Sequence, residues 1–384
     1  MRVGVVREIA PGETRVSVVP AVVPTLKKAG LEVLVEAGAG QLAGYPDAEY
    51  IAHGARVADR SEVLQADVLL MVRAAGAGQL PHSDLQQLQP GQLLIAMCDP
   101  LGQPDGFRPL AERGLTVFAL ELMPRITRAQ SMDVLSSMAT VSGYRAVLLA
   151  AMHLPRMFPM LMTAAGTIMP AKVFVVGAGV AGLQAIATAR RLGAAVSAYD
   201  VRPAVKEQVQ SLGAKFVELG LESQEAEDRG GYARKMGEEF YQRQREMMAR
   251  WVADSDVVIT TAMVPGQKAP VLISGQMVSG MRPGSVIVDL AAERGGNCEL
   301  TQPGKTIQYN GISILGPLNL PAEVPYHASQ MYAKNISTFL LHLLDKQGQI
   351  NLERDDEILR ETLVVRNGQI VHPRIQQLLQ QAAA

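Results

Sequence analysis

Cysteine is nearly missing from this sequence, with Cys98 and Cys298 the only two among 384 residues. So far apart, they cannot form the disulfide framework that small secreted domains need, and a reducing cytosol is the expected compartment. Charge of one sign is lacking too: 36 Lys and Arg against 37 Asp and Glu leave a formal net charge of −1. No basic excess points to nucleic acid as a partner. The opening MRVGVVREIAPGETRV carries Arg2, Arg7, Glu8, Glu13 and Arg15 where a signal peptide would have its apolar core, so it reads as belonging to the mature chain. The most apolar stretch, Tyr144 to Pro170, is broken by Arg145, His153, Pro155, Arg156 and Pro159. That falls short of the roughly 20 uninterrupted apolar residues a spanning helix needs, and no bilayer-spanning segment is expected. The six histidines are scattered and neither cysteine has a companion at ligand spacing, so no metal site is expected; a nucleophile elbow is lacking as well.

What is present is apolar material, 48% of the residues, in a chain long enough for two cores. Short β-branched runs alternate with helical stretches, the pattern of βαβ units and a parallel sheet. Val3–Val6, Glu32–Glu36, Val68–Val72, Leu93–Met97 and Thr116–Ala119 are the expected strands of a first α/β domain. A second series is expected at Val173–Val176, Ala195–Tyr199, Lys215–Glu218, Asp256–Thr260, Ser285–Asp289 and Ile312–Leu315. The predicted fold is therefore α/β, two Rossmann-like doubly wound domains with parallel sheets separated by a cleft. The expected boundaries are 1–135 with 320–384 for the first and 136–319 for the second. A helix from about Val134 to Met152 is expected to join them, a second is expected beyond Pro325, and the Gln- and Ala-rich tail is left without assigned structure. From Gly220 to Gly237 the rhythm breaks into a polar, acidic insertion, a disordered loop or a working lid.

Gly177, Gly179 and Gly182 form GAGVAG between the apolar run AKVFVV and the helical LQAIATARRLG. In that context the three glycines serve, in turn, a tight turn, close approach of backbone to pyrophosphate, and close packing of helix on strand. The helix N-terminus then offers N–H groups and a positive dipole end to phosphates. Asp200 ends the next strand, 18 residues after Gly182, where a carboxylate accepts from the adenosine ribose hydroxyls and repels a 2′-phosphate. Arg202 nearby could accommodate that phosphate, yet with Asp200 in place NAD is the expected dinucleotide. A second polar run, LMPRITRAQSMDVLSSMATVSGYRAV, gathers Arg125, Arg128, Gln130, Asp133, Ser136 and Tyr144. The three-residue spacing of Gln130, Asp133 and Ser136 could line one face that holds a carboxamide and a ribose, or could simply mark a solvated helix start with Asp133 as its N-terminal charge. His153 and His342 lie in apolar helical text and read as core residues.

Together with these stretches, YDVRP, GGYARKMGEEFYQRQ, TTAMVPGQKAPVLI, GSVIVDLAAERGGNCE and NGQIVHP resemble the NAD(H)-binding subunit of proton-translocating nicotinamide nucleotide transhydrogenases, over nearly the whole chain. The N-terminal half also resembles alanine dehydrogenase. The transhydrogenase resemblance implies that Arg125, Gln130, Asp133 and Ser136 act at the nicotinamide, with Ile126, Thr127 and Arg128 beside them. It likewise implies that Val180, Val201, Gly231, Tyr232 and Met263 join Gly177, Gly179, Gly182, Asp200 and Arg202 in holding NAD, with Tyr232 on a mobile loop. It further implies NADP bound by a partner subunit, a membrane-spanning partner, a homodimer, and a place at the cytoplasmic face of the membrane. Met169 stands where a second proline is more usual, and the ending after HPRIQQ resembles the split form of these enzymes. The alternatives are alanine dehydrogenase, which would use a lysine and a histidine where MVRAA and AMCDP place Arg73 and Cys98 and leave Arg15 alone of that set, and a catalytically silent NAD sensor. Hydride exchange between two nicotinamides needs oriented rings and no protein acid or base.

Overall fold

The computed structural model describes residues 1–78, 81–221, 236–264 and 266–383. The chain divides into two compact units, Met1–Met138 with Pro321–Ala384, and Ala139–Leu320. In the first, strands β1 (Arg2–Val5), β2 (Glu32–Glu36), β3 (Arg56–Ala58), β4 (Val68–Arg73), β5 (Leu93–Met97) and β6 (Thr116–Ala119) run parallel in the order β3-β2-β1-β4-β5-β6. The second unit holds a small hairpin, β7 (Leu161–Thr163) and β8 (Gly166–Ile168), and then its own sheet. That sheet comprises β9 (Lys172–Val176), β10 (Ala195–Tyr199), β11 (Lys215–Phe216), β12 (Val257–Thr260), β13 (Val286–Asp289), β14 (Thr306–Tyr309) and β15 (Ile312–Leu315), in the order β11-β10-β9-β12-β13-β15-β14, all parallel except β14. Back in the first unit, β16 (Leu363–Arg366) and β17 (Gln369–Ile370) extend the first sheet antiparallel beyond β6. Both parallel cores thus follow the strand order 3-2-1-4-5-6, in which the direction of winding reverses between the first and fourth strands.

The strands are continuous apolar runs because both faces are covered. Along β9, Val173 and Val175 face a core with Ala185, Ile186 and Ala189 of the helix Val180–Arg191, and with Ala146, Val147 and Ala150 of the helix Val134–His153. The alternate residues Phe174 and Val176 face Tyr241, Met248 and Val252 of the helix Glu238–Ala253. By length and composition Val134–His153 is the one helix among the described residues that could cross a membrane. Its Gly143 packs so closely that a Cβ there would collide with the Ala181 carbonyl, the tight approach of one core helix to another.

The C-terminal part, left unassigned from the sequence, is ordered into regular elements. It forms β16, β17 and a helix, Pro373–Ala383, whose Ile375, Leu378 and Leu379 pack on the first core at helical spacing. Its signal was present in Asn367–Gly368, both at positive φ (52° and 75°), a two-residue hairpin turn between the runs LVVR and QI. The strands β3, β14 and the hairpin β7–β8 were also not anticipated; they are short edge elements, and β8 is exposed along its whole length.

Candidate functional site

In the second unit the glycine turn follows β9. Gly177 has φ +98°, a conformation reserved in practice for glycine, and its carbonyl accepts from Thr261 Oγ1 at 3.0 Å. A Cβ on Gly182 would collide with that same carbonyl. Gly179 differs: a Cβ there would meet nothing closer than an Arg202 Nη2 at 3.9 Å. The chain's own packing therefore explains two of the glycines and leaves room beside the third, at the N-terminus of the helix beginning with Val180. A backbone cradle of that kind at a helix N-terminus suits a pyrophosphate.

Asp200, 5% exposed, closes the far end of this turn. One carboxylate oxygen accepts from the Ala178 N–H at 2.7 Å and Arg202 Nη2 at 2.8 Å; the other accepts from the Arg202 N–H and Nε, both at 2.9 Å. Arg202 is folded back as a bidentate partner, its side chain only 12% exposed. Val201 is half-buried and Met263 is 45% exposed. The stretch carrying Met263 is fixed by Asn297, a fully buried residue that sequence reading passed over. Its Nδ2 donates to the carbonyls of Ala262 (2.8 Å) and Pro270 (2.9 Å), while its Oδ1 accepts from the Ala262 N–H at 2.9 Å. Gln244 was also missed. It is 2% exposed on the apolar face shared by Tyr241, Met248 and Val252, and its Oε1 has no partner among the described residues. A glutamine interrupting an apolar helical stripe was the available signal. Gly231 and Tyr232, like most of the suspected lid, lie outside the described residues.

In the first unit the polar run forms a 3-10 helix, Thr127–Met132, held down by buried Ala129 and Met132. Arg125, Thr127, Arg128 and Gln130 are exposed on its outer side, and Ile126 is half-buried. Asp133 then caps the helix Val134–His153, accepting from the Ser136 N–H at 2.9 Å and Ser136 Oγ at 2.6 Å. The structure thus pairs Asp133 with Ser136 and sets Gln130 on the preceding turn, so the three do not form a single helical face. Arg128 Nη2 lies 2.9 Å from Asp356 Oδ1, and Asn335 Nδ2 donates to the Ser131 carbonyl at 2.9 Å.

The carboxyl ends of the first sheet carry a different chemistry. Glu8 accepts from the N–H groups of Val72 (2.6 Å) and Arg73 (3.2 Å), and burial pushes its pKa up to about 8. Glu121 accepts from the N–H groups of Cys98 and Asp99, both at 2.7 Å, and burial raises it to about 7. Arg15 is buried in a bidentate pair with Glu13, at 2.6 and 2.7 Å. The Cys98 thiol is fully buried, which drives its pKa well above the usual thiol range. At this edge Arg15 is committed to Glu13 and the Cys98 thiol stays protonated near neutrality, while Glu8 and Glu121 are the groups raised into the neutral range.

Two units of one strand order, one of them with a glycine cradle backed by a buried carboxylate, define an α/β nucleotide-binding protein of the dehydrogenase type. The chain belongs to the alanine dehydrogenase/PNT family: residues 4–142 match its N-terminal domain and residues 146–373 its C-terminal domain. It is 46% identical over 379 residues to an NAD(P) transhydrogenase alpha subunit chain of Rhodospirillum rubrum, covering 98% of this chain and 99% of that one. A solved transhydrogenase from Sinorhizobium meliloti superposes with a TM-score of 0.84 at 45% identity, over 97% of this chain and 99% of the other. Alanine dehydrogenase of Mycobacterium tuberculosis is 30% identical over 388 residues, covering 98% of this chain and 96% of the relative, so that likeness is not confined to the N-terminal half.

Proposed function

We propose that this protein is the NAD(H)-binding component of a proton-translocating transhydrogenase. The observation that carries this reading is the near full-length identity to a transhydrogenase alpha subunit, combined with a first-sheet edge where Arg15 is committed to Glu13 and Cys98 is sealed in the core. Arg73 and Cys98 stand where the dehydrogenase resemblance calls for a lysine and a histidine, whereas exchange between nicotinamides needs no protein acid or base. When bound, NADH supplies a hydride, one proton with two electrons, to NADP+ on a partner polypeptide, leaving NAD+ and NADPH.

The chain's own residues hold and orient. The N–H groups following Gly179 receive the pyrophosphate, Asp200 takes the ribose hydroxyls, and Val180, Val201 and Met263 flank the adenosine, with Gly231 and Tyr232 closing over it. Arg125, Gln130, Asp133 and Ser136 fix the carboxamide and ribose of the nicotinamide or meet the partner's nucleotide, with Ile126, Thr127 and Arg128 beside them. The protein works at the cytoplasmic face of the membrane through a membrane-spanning partner and an NADP(H)-binding partner. It functions as a homodimer, a reading supported by the hairpin β7–β8 and the residue after it, where Met162, Ile168 and Met169 are 75%, 42% and 72% exposed.

Mixing the protein with an NADP(H)-loaded partner domain and following hydride exchange tests the reading, with alanine plus NAD as the control. Exchange without alanine turnover is expected. Alanine oxidation would favour the dehydrogenase, and NADH binding without either reaction would favour a sensor.

A further inference from the structure

The 3-10 segment Thr127–Met132 is short, and such helices have poor hydrogen-bond geometry. Buried Ala129 and Met132 hold one side of it, yet apolar contacts are non-directional and set no register. Two directional contacts come from residues more than 200 positions further along the chain. Asn335, 5% exposed on the helix Pro325–Leu343, donates to the Ser131 carbonyl. Asp356, whose side chain is 7% exposed, takes the Arg128 guanidinium.

Asp356 is itself well fixed. Its Oδ1 accepts from the Ile358 N–H at 2.9 Å, capping the helix Glu357–Thr362, and its Oδ2 meets His342 Nε2 at 2.7 Å with Arg354 Nε at 3.7 Å. Arg354 also donates to the His342 carbonyl, tying the network to the end of the long helix. A half-exposed arginine on a short turn therefore ends on a carboxylate also held by Ile358, His342 and Arg354. The carboxylate positions the arginine, and through it the turn.

We propose that Asp356 and Asn335 are positioning residues for the segment that presents Arg125 and Gln130, and that Arg128 is chiefly the handle they hold. The proposal rests on the hydride-transfer reading above for its catalytic consequence, though not for its structural one. Neither residue need touch a nucleotide. Their loss loosens the turn, so the reacting rings spend less time at bonding distance while the adenosine half is held as before.

The test uses the full chain with its NADP(H)-loaded partner. Asp356→Asn should slow single-turnover hydride exchange about 10-fold with NADH affinity changed less than about 2-fold. Asn335→Leu, close in shape and without the donor, should slow it about 3-fold. Combining Arg128→Ala with Asp356→Asn should cost no more than the worse single change, because both cut one contact. Amide hydrogen exchange across residues 127–132 should quicken in both single variants at unchanged protection of β9. Wild-type exchange rates in Asp356→Asn, multiplicative losses in the double variant, or unaltered protection of 127–132 would each overturn the proposal. Should Asp356→Asn fail to fold, Asn335→Leu and Arg128→Ala carry the same test. A wild-type protein that transfers no hydride would sink the functional reading alone, and the amide exchange would still decide the clamp.

Discussion

The two units share a strand order and differ in who occupies the crevice at its turning point. In the second, the loop after β9 is built of Gly177, Gly179 and Gly182, and the space beside Gly179 is open. In the first, the chain beyond β1 carries Glu8, whose carboxyl accepts from the N–H groups of Val72 and Arg73 at the end of β4. Strand ends and turns present N–H groups that donate to whatever acceptor reaches them, a ligand's phosphate or a carboxyl of the chain itself. One unit leaves that position open and the other fills it from its own sequence. The difference is a handful of side chains on one scaffold, which is why function is argued from the site and not from the fold.

The comparison can be broken hardest at Gly182. Alanine there drives the Gly177 carbonyl out of place, so NADH binding should vanish from calorimetry and the melting temperature should fall by roughly 5 °C. Gly179→Ala sharpens the contrast, because the fold has room for the methyl group: the melting temperature should stay put while NADH affinity drops about 10-fold or more. An equal loss of stability at both positions would mean that the open space is not the nucleotide's. Asp200→Asn should follow, with NADH affinity down about 10-fold and the preference over NADPH narrowed, since Arg202 loses the partner that holds it back. In the first unit the smallest effect is expected. With Glu8 at about 8 in the fold against 4.5 in the unfolded chain, the folded state binds the proton more tightly, so stability falls as pH rises from about 4.5 through 8. Glu8→Gln should flatten the melting-temperature profile in that window by a few degrees and leave NADH affinity alone. A profile unchanged by the substitution would show that Glu8 ionises as an ordinary surface carboxyl.

The elements legible in the sequence were those whose signal is local. Buried parallel strands such as VLLMV and VFVV are continuous apolar runs, and the glycine turn carries its conformational demand in its own residues. Short edge strands such as Arg56–Ala58 bury little and have no such run. The tail was left unassigned although Asn367–Gly368 marked a hairpin ahead of it. Within the polar run, spacing alone left Asp133 open between a helix start and a ligand face; the backbone places it at a cap with Ser136, while Gln130 belongs to the turn before. The contacts of Asp356 with Arg128 and of Asn335 with Ser131 join residues 228 and 204 positions apart. No periodicity reports a pairing at that separation, since it exists only once the chain has closed on itself.

The saturated carboxylate of Asp200 bears on how long a nucleotide stays. In the proposed site, ribose hydroxyls arriving there would not meet a bare charge; they would compete with a guanidinium already in place, so association would swap one set of hydrogen bonds for another with a small net gain. In the proposed role, in which NAD+ is shed and NADH reloaded in every round, such a weak grip would serve, because residence time shortens in step with the energy recovered when Arg202 returns to Asp200.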